Sequence, residues 1–131
     1  MSRKNFDYIV IEGSKFTIEW YYNKNYKSDV FEHYESLSAS EQMDALVLFE
    51  IMAKEGKILN TTKFNSEGDQ IYAFKPGQER FICFFCHGKK IIVTNAYRKK
   101  TQKMPPREKD KAKKRRKDYL DRVAKGEYYD E

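Results

Sequence analysis

The sequence is poor in cysteine, glycine and proline, and it has no long apolar run. Its 131 residues include two cysteines, six glycines and three prolines. Two cysteines do not make a disulfide framework, and the glycines occur singly, so no phosphate-binding glycine loop is present. No stretch of about 18 apolar residues occurs, so we expect no membrane-spanning helix. The N-terminus lacks a secretory hydrophobic region, and we therefore expect a cytoplasmic location.

Catalytic and metal-binding residue types are also scarce. His33 and His87 are the only histidines. No Ser/His/Asp set, Cys/His set or acidic cluster with metal-ligand spacing is visible. Residues 83–87 match the C-x-x-C-H pattern of haem attachment, but they lie in a run typical of a strand. Residues three apart in a strand point to opposite faces, so Cys83 and Cys86 are expected to be separate packed thiols rather than haem or zinc ligands.

Aromatic and charged residues are abundant. Ten tyrosines and nine phenylalanines accompany a charged fraction of 35%. A chain with both features can bury a core and still present a strongly charged face, so we expect folded structure outside the ends. The length fits one domain covering residues 1–131.

Positive charge is concentrated in the last third of the chain. Residues 98–125 hold fourteen Lys or Arg and four Asp or Glu, a net charge of +10, whereas the rest of the chain holds twelve and sixteen, a net charge of −4. Segregated positive charge beside a rigid sheet indicates a surface for a polyanion, with nucleic acid as the first candidate. A solvated basic helix is the alternative.

The first half of the chain predicts a hairpin followed by two helices. Residues 6–11 and 16–22 are aromatic and β-branched runs that flank a turn. Ser28 and Asp29 can cap a short helix to about Leu37, Ser38 with Glu41 fits a capping box, and Gly56 is a natural stop. Met43, Leu46, Val47 and Ile51 follow the capping box at helical spacing. The apolar face expected to cover the sheet comprises Phe31, Tyr34, Leu46, Phe49 and Met52.

The second half predicts three strands and a basic helix. Strands at 70–75, 80–86 and 90–98 are joined by short turns, so they should pair as an antiparallel meander. A helix over 107–125 follows Pro106 and should dock by the narrow stripe of Ala112, Tyr119, Leu120 and Val123. The fold class is therefore α+β: a twisted antiparallel sheet, two N-terminal helices on one face and a basic C-terminal helix at its edge. Residues 1–14 form an N-terminal strand extension, and residues 126–131 form a loose acidic tail.

Cations at the ends of these strands form the best candidate for chemistry. Lys75 ends one strand and Arg80 begins the next, while Lys99 follows the last strand beside Tyr97. Such a cluster can cleave RNA, because the substrate's own 2′-OH attacks the phosphate and the protein must orient it and stabilise a dianionic phosphorane. Arginine suits the phosphorane, and a lysine among cations can take part in proton transfer. Ordinary cations that keep a sheet edge soluble are the alternative.

Residues 71–122 resemble the HigB-like, phage-associated branch of the RelE/ParE toxin superfamily. The most specific part is the stretch from position 99 that reads KKTQKMP, followed by the basic run up to Tyr119. The resemblance implies a RelE-like fold and a toxin that is a ribosome-dependent mRNA endoribonuclease and inhibits translation. It also implies that no metal or other cofactor is needed, and that an antitoxin, often with a helix-turn-helix domain, holds the toxin inactive.

The resemblance also implies the site residues. The catalytic positions fall on Lys75, Arg80, Lys99 and Tyr97. The family usually has an acidic residue and then arginine where this chain has Ala73 and Lys75, which bears on activity rather than fold. The residues expected to bind mRNA or ribosomal RNA are Arg98, Lys100, Lys103, Arg107, Lys113, Lys114, Arg115, Arg116 and Lys117. Two other functions stay open: a homologue that binds RNA or the ribosome without cutting, and an interaction protein that targets gyrase.

Overall fold

The computed structural model describes residues 8–129, which form one six-stranded sheet and three helices. The α+β class expected from the sequence is confirmed. The elements in chain order are β1 (Ile9–Glu12), β2 (Thr17–Trp20), α1 (Asp29–Glu35), α2 (Ala39–Glu55), β3 (Phe64–Ser66), β4 (Tyr72–Phe74), β5 (Glu79–Cys86), β6 (Lys90–Arg98) and α3 (Pro106–Ala124).

The sheet is mixed rather than antiparallel throughout. Its strand order is β1-β2-β6-β5-β4-β3, and β2 runs parallel to β6 while every other neighbouring pair is antiparallel. The two helices carry the chain across the sheet between β2 and the later strands, and a crossover of this length permits parallel pairing. The expected meander of β4, β5 and β6 is confirmed, but the expectation of a purely antiparallel sheet is wrong at this one pair.

The helix boundaries expected from capping residues are confirmed. The Ser28 hydroxyl accepts a hydrogen bond from the Phe31 amide at 3.2 Å, where α1 begins. The Ser38 hydroxyl accepts from the Glu41 amide while the Glu41 carboxylate accepts from the Ser38 amide, so α2 begins with a complete capping box. Gly56 ends α2 at φ +82°, a left-handed conformation that favours glycine.

α2 is apolar on two sides, and the sequence pattern did not distinguish them. The side chains buried against the sheet are Ala45, Leu48, Phe49, Met52 and Ala53. Leu46 is half-buried, so it lies at the margin of that face. Met43, Val47 and Ile51, which also recur at helical spacing, are exposed on the opposite side. Helical spacing alone is satisfied by both rows, so only packing decides which one faces the core.

Both faces of the sheet are covered. On one face, Trp20 contacts Phe49 and Phe81 beneath α1 and α2, with ring centroids 5.9 and 6.3 Å away. On the other face, α3 packs against β5 and β6, where Phe84 meets Tyr119 at 5.7 Å. The expectation that the basic helix lies at the sheet edge is therefore wrong. Ala112 and Tyr119 of its expected docking stripe are buried, whereas Leu120 and Val123 are exposed.

β3 is a short strand that the sequence did not reveal. It pairs with β4, Asn65 standing opposite Ala73, and forms one edge of the sheet. At the other edge, the expected N-terminal hairpin is present as β1 and β2. Residues 6 and 7 of its expected first strand lie outside the described residues.

Tyr128 and Tyr129 pack on the sheet, so the expectation of a loose tail is wrong at these two residues. Tyr128 is only 2% exposed, and its hydroxyl accepts a hydrogen bond from the Tyr22 amide at 2.9 Å. The Tyr129 hydroxyl donates to the buried Glu19 carboxylate at 2.7 Å. Aromatic burial outweighs the local acidic composition here. Residues 130 and 131 lie outside the described residues.

No helix within residues 8–129 is long and apolar enough to cross a membrane.

Candidate nucleic-acid interface

Side-chain alternation places a group of cations on the α3 side of the sheet. Phe74 and Phe81 belong to the core beneath α1 and α2, so their neighbours Lys75 and Arg80 project from the other side. Arg80 stands directly opposite Tyr97 in the β5–β6 register. Lys99 follows β6, and its amide donates to the Gln78 carbonyl at 2.7 Å. The four expected catalytic residues, hereafter the cation cluster, therefore lie at one end of the sheet.

Backbone carbonyls hold the Arg80 guanidinium in place. Its Nη1 donates to the carbonyl oxygens of Gly77 at 2.9 Å and Glu79 at 2.8 Å. Gly77 has φ +59°, which lets the turn after Pro76 fold its carbonyl back towards this side chain. Arg80 forms no ion pair with a carboxylate of the described residues. Its charge is thus fixed in position and available to an anion.

Lys75 lies in a mixed electrostatic environment. Its Nζ donates to the Thr61 carbonyl at 3.3 Å. Burial lowers the pKa of the Lys75 ammonium below its ordinary value; the charges of Arg80 and Lys99 act in the same direction, while the Glu67 carboxylate opposes them. A lysine whose pKa is lowered gives up its proton more readily, which suits a proton donor.

Glu67 is a site residue that the sequence did not reveal. It follows β3, and its amide donates to the Ile71 carbonyl at 2.7 Å, which ties it to the start of β4. Its carboxylate is close enough to the cation cluster to raise the pKa of both Lys75 and Tyr97. Burial is the largest cause of the raised pKa of Tyr97, so this hydroxyl stays protonated and can donate a hydrogen bond. Because β3 itself was unrecognised, no sequence signal pointed to Glu67.

An unpartnered acceptor lies beside Glu67 on the same strand face. Asn65 is two residues earlier in β3, and its Oδ1 is a buried side-chain atom with no hydrogen-bond partner among residues 8–129. It stands opposite Ala73 in the β3–β4 register. Buried polar atoms without a partner are uncommon in folded proteins and often mark a functional region.

Arg98 is not part of the cation cluster. It alternates to the opposite face of the sheet, where its Nη1 donates to the carboxylates of Glu79 at 2.8 Å and Glu41 at 3.2 Å. His33 Nε2 contacts the same Glu79 carboxylate at 2.6 Å. These contacts join α1 and α2 to the ends of β5 and β6. The structure thus places Arg98, expected to bind RNA, in an ion-pair network within the fold.

Two arginines of α3 also make internal contacts. Arg115 binds the Asp29 carboxylate through both of its terminal nitrogens, at 2.6 and 2.8 Å, and donates to the Thr94 carbonyl. Arg116 donates to the Asp69 carbonyl at 2.8 Å. Both residues were expected to contact RNA, but these hydrogen bonds commit their guanidinium groups to holding α3 on the rest of the domain.

The other expected RNA-binding cations lie at the surface. Lys113 is paired with Asp69 and Lys117 with Asp121. The exposed residues Lys100, Lys103 and Lys114 form no ion pair with any residue from 8 to 129, and Arg107 reaches only Glu108, at 4.0 Å. Two cavities, of about 620 Å³ and 550 Å³, lie beside α3, and Lys100, Lys103 and Arg107 border the smaller one. The smaller cavity, between β6 and α3, is lined among others by Tyr97, Lys100, Lys103, Met104 and Arg107, and the larger by Phe84, Cys86, His87, Arg116 and Leu120.

The two cysteines are separated by the sheet, as expected. Cys83 is buried in the core beneath α1 and α2, whereas Cys86 packs on the α3 side. Burial raises the pKa of both thiols, which favours packed thiols over reactive thiolates. Among the described residues, no group of three or more His, Cys, Asp or Glu side chains is arranged to hold a metal ion.

The sheet, its three helices and the cations beside it define an α+β domain of the RelE-like type. Residues 32–117, about two thirds of the chain, match the family described as Phage derived protein Gp49-like (DUF891). The chain belongs to this family, which is a family of RelE-like toxins from type II toxin–antitoxin systems. No curated protein matches the chain.

Proposed function

We propose that this protein is a HigB-like type II toxin that cleaves mRNA on the ribosome and so inhibits translation. The observation that supports this best is the cation cluster, in which Arg80 and Tyr97 face each other across two strands beside Lys75 and Lys99. The cluster offers fixed positive charge where a phosphate can approach and a proton donor in Lys75, and the nearby Glu67 carboxylate is a proton acceptor.

The proposed reaction uses the substrate's own 2′-OH. The 2′-oxygen bonds to the adjacent phosphorus while the bond from phosphorus to the 5′-oxygen breaks, which leaves a 2′,3′-cyclic phosphate and a 5′-OH. The Glu67 carboxylate accepts the proton of the 2′-OH, since it is the carboxylate whose charge reaches both Lys75 and Tyr97. The Lys75 ammonium donates a proton to the leaving 5′-oxygen.

The remaining side chains of the cluster bind and orient the nucleotide. Arg80 stabilises the doubly charged phosphorane, because its guanidinium can bind two oxygens at once. Lys99 contacts the scissile phosphate, and Tyr97 stacks on a base or donates a hydrogen bond to the ribose. All the charge that this proposal requires comes from side chains, so the reaction needs no metal or other cofactor.

Binding to the ribosome uses the surface cations. Lys100, Lys103, Arg107 and Lys114 are exposed and contact the backbone of ribosomal RNA or mRNA without reading its sequence. Because ribosomal RNA supplies much of this binding, the isolated protein cleaves free RNA poorly. The partner that holds the toxin inactive is an antitoxin with a helix-turn-helix domain.

A second function is favoured by one specific observation. Lys75 occupies a position where the resembling family has arginine, and a lysine provides a point charge instead of a two-pronged phosphate contact. Its ammonium also donates to the Thr61 carbonyl. These features favour a protein that binds RNA or the ribosome without cutting.

Mapping of RNA 5′ ends distinguishes the two functions. The wild-type chain and Arg80→Ala are induced separately, without antitoxin, and the 5′ ends of cellular mRNA are sequenced. Cuts that keep codon phase and disappear in the variant support the nuclease. Growth arrest with intact mRNA contradicts the nuclease and supports the second function. Lys57→Ala serves as the matched control, because it removes an exposed cation that follows α2 and is not part of the cation cluster.

A further inference from the structure

α2 carries a row of exposed apolar side chains on the side that faces away from the sheet. Met43, Val47 and Ile51 are spaced by four residues and are 59, 46 and 38% exposed. They therefore form one line along the helix, which we call the outer stripe. The buried side of the same helix already packs on the sheet. A helix with a second apolar row is typical of one that is covered on both sides.

The helix that presents the outer stripe is firmly held. Both ends are capped, and the β1–β2 turn packs on its last turn: the amides of Lys15 and Phe16 both donate to the Ala53 carbonyl, at 2.9 and 3.0 Å. Gly13 approaches so closely that a Cβ at this position would clash with the Ala53 carbonyl oxygen. A partner that binds the outer stripe thus meets a preformed surface and does not need to order it.

The charges beside the outer stripe are mainly negative. Helical spacing places Asp44 and Glu55 along one side of it and Glu50 along the other, and all three are exposed. The nearby Lys54 is paired with Glu50 at 2.6 Å. This arrangement contrasts with the basic surface of α3 on the other side of the sheet. Carboxylates repel a phosphate backbone, so RNA does not fit here. The complementary surface is an apolar row flanked by lysine or arginine.

A second copy of the chain is a poorer fit than a basic partner. If two α2 helices packed antiparallel about Val47, the side that carries Asp44 and Glu55 would meet the same acidic side of the other copy. Like charges placed together in this way oppose association.

We propose that the outer stripe is the docking surface for the antitoxin, which binds it with an amphipathic helix whose apolar row is flanked by basic residues. This inference rests on the proposed toxin function, because a toxin requires a partner that neutralises it. The outer stripe and the cation cluster are on opposite sides of the sheet. Changes in the stripe therefore affect neutralisation and leave toxicity intact.

The test uses the full-length chain and the protein encoded by the adjacent gene. Val47→Glu places a charge at the centre of the outer stripe and retains a good helix former. Leu59→Glu is the matched control, because Leu59 is 80% exposed and lies outside α2. The dissociation constant is measured by calorimetry, and rescue of growth is measured by co-expression. We expect Val47→Glu to weaken binding roughly 30-fold and to abolish rescue, while Leu59→Glu changes neither.

Further variants and outcomes make the test decisive. Asp44→Lys should also weaken binding, because it replaces a complementary charge with a repelling one. Equal affinity of the wild type and Val47→Glu overturns the proposal, as does failure of the adjacent-gene protein to bind the wild type. A wild-type dimer that Val47→Glu converts to a monomer would overturn it too, by showing that a second copy covers the stripe. Binding is measured directly, so a wild type that arrests growth without cleaving mRNA contradicts only the nuclease.

Discussion

Arg80 and Tyr97 face each other across β5 and β6, on the face of the sheet that α3 only partly covers. Two backbone carbonyls hold the arginine, and burial keeps the tyrosine protonated by raising its pKa. One group supplies fixed positive charge, and the other supplies a hydrogen-bond donor with an aromatic face. This pairing of charge and ring suits an RNA phosphate and its base.

Arg80→Ala should remove cleavage and largely preserve binding. Loss of one fixed donor to a developing oxyanion reduces the catalytic rate by a factor of about 10²–10³. Single-turnover cleavage on programmed ribosomes measures the rate, and co-sedimentation with ribosomes measures binding. Arg80→Lys should recover only part of the rate, because it restores the charge but not the two-pronged contact. A variant that cuts at the wild-type rate would remove Arg80 from the mechanism.

Glu67→Gln should slow cleavage and change its pH dependence. Loss of a general base reduces the rate by a factor of about 10²–10⁴. The wild-type rate should decrease at alkaline pH, because Lys75 loses the proton that it donates. The Glu67 carboxylate acts to raise the pKa of Lys75 and so shifts this decrease to higher pH. Without that carboxylate the pKa of Lys75 decreases, so the alkaline decline should move to lower pH. Glu50→Gln, an exposed carboxylate on α2, is the control. An unchanged rate and pH profile in Glu67→Gln would contradict the proposed base.

Arg115→Ala should reduce stability, whereas Lys114→Ala should affect ribosome binding, although the two residues are adjacent. Arg115 binds Asp29 and Thr94, so its loss should reduce the free energy of unfolding by about 1–2 kcal/mol. Lys114 is exposed, so its loss should leave stability unchanged and reduce the salt dependence of ribosome binding. Urea unfolding and binding at several salt concentrations measure the two effects. Equal destabilisation by both variants would contradict the assignment of Arg115 to the fold.

The Arg115 effect should itself depend on pH. The hydrogen bond from Arg115 holds the pKa of the Asp29 carboxyl below its ordinary value. Because the pKa of Asp29 is lower in the folded state, its ionised carboxylate stabilises the fold at pH values above its unfolded-state pKa of about 4. This stabilisation is lost as the pH decreases through the folded-state pKa. The difference in stability between wild type and Arg115→Ala should therefore narrow below about pH 4. Because Asp29 is exposed, the pH-dependent share of the difference in unfolding free energy is small.

Tyr128→Ala should destabilise the whole domain. Its ring is buried against Tyr119, with centroids 4.6 Å apart, and large-to-small changes of this kind cost about 3 kcal/mol. Tyr128→Phe keeps the ring but leaves the Tyr22 amide without its acceptor, which should cost about 1 kcal/mol. Thermal unfolding followed by circular dichroism measures both. If Tyr128→Ala unfolds at the wild-type temperature, the tail does not contribute to the core.

Short-range sequence signals predicted much of the fold correctly. Ser28, Ser38 and Gly56 marked the helix ends, because a cap is a contact between residues a few positions apart. The short turns beside Pro76 and Gly88 required antiparallel neighbours. The alternation of β5 correctly placed its two cysteines on opposite faces. The same alternation brought Arg80 and Tyr97 to one face, as the sequence had suggested.

Long-range pairing was less predictable. β3 is only three residues long, so it carried no periodic signal, and Glu67 was missed with it. Arg98 resembles its basic neighbours in sequence, yet the alternation of β6 directs it towards Glu79 and Glu41. The acidic composition at the C-terminus concealed two tyrosines that pack on the sheet. Each of these outcomes depends on a contact between residues far apart in the chain.

The sequence by itself determined the helix ends, the β4–β6 meander and the position of Lys75, Arg80, Tyr97 and Lys99 at the ends of neighbouring strands. These features follow from caps, turns and side-chain alternation, which act over a few residues. Tertiary structure decided the parallel pairing of β2 with β6, the role of each α3 cation and which side of α2 faces the core. Such choices depend on which distant surfaces bury the most apolar area and satisfy each charge, and no local pattern contains that information.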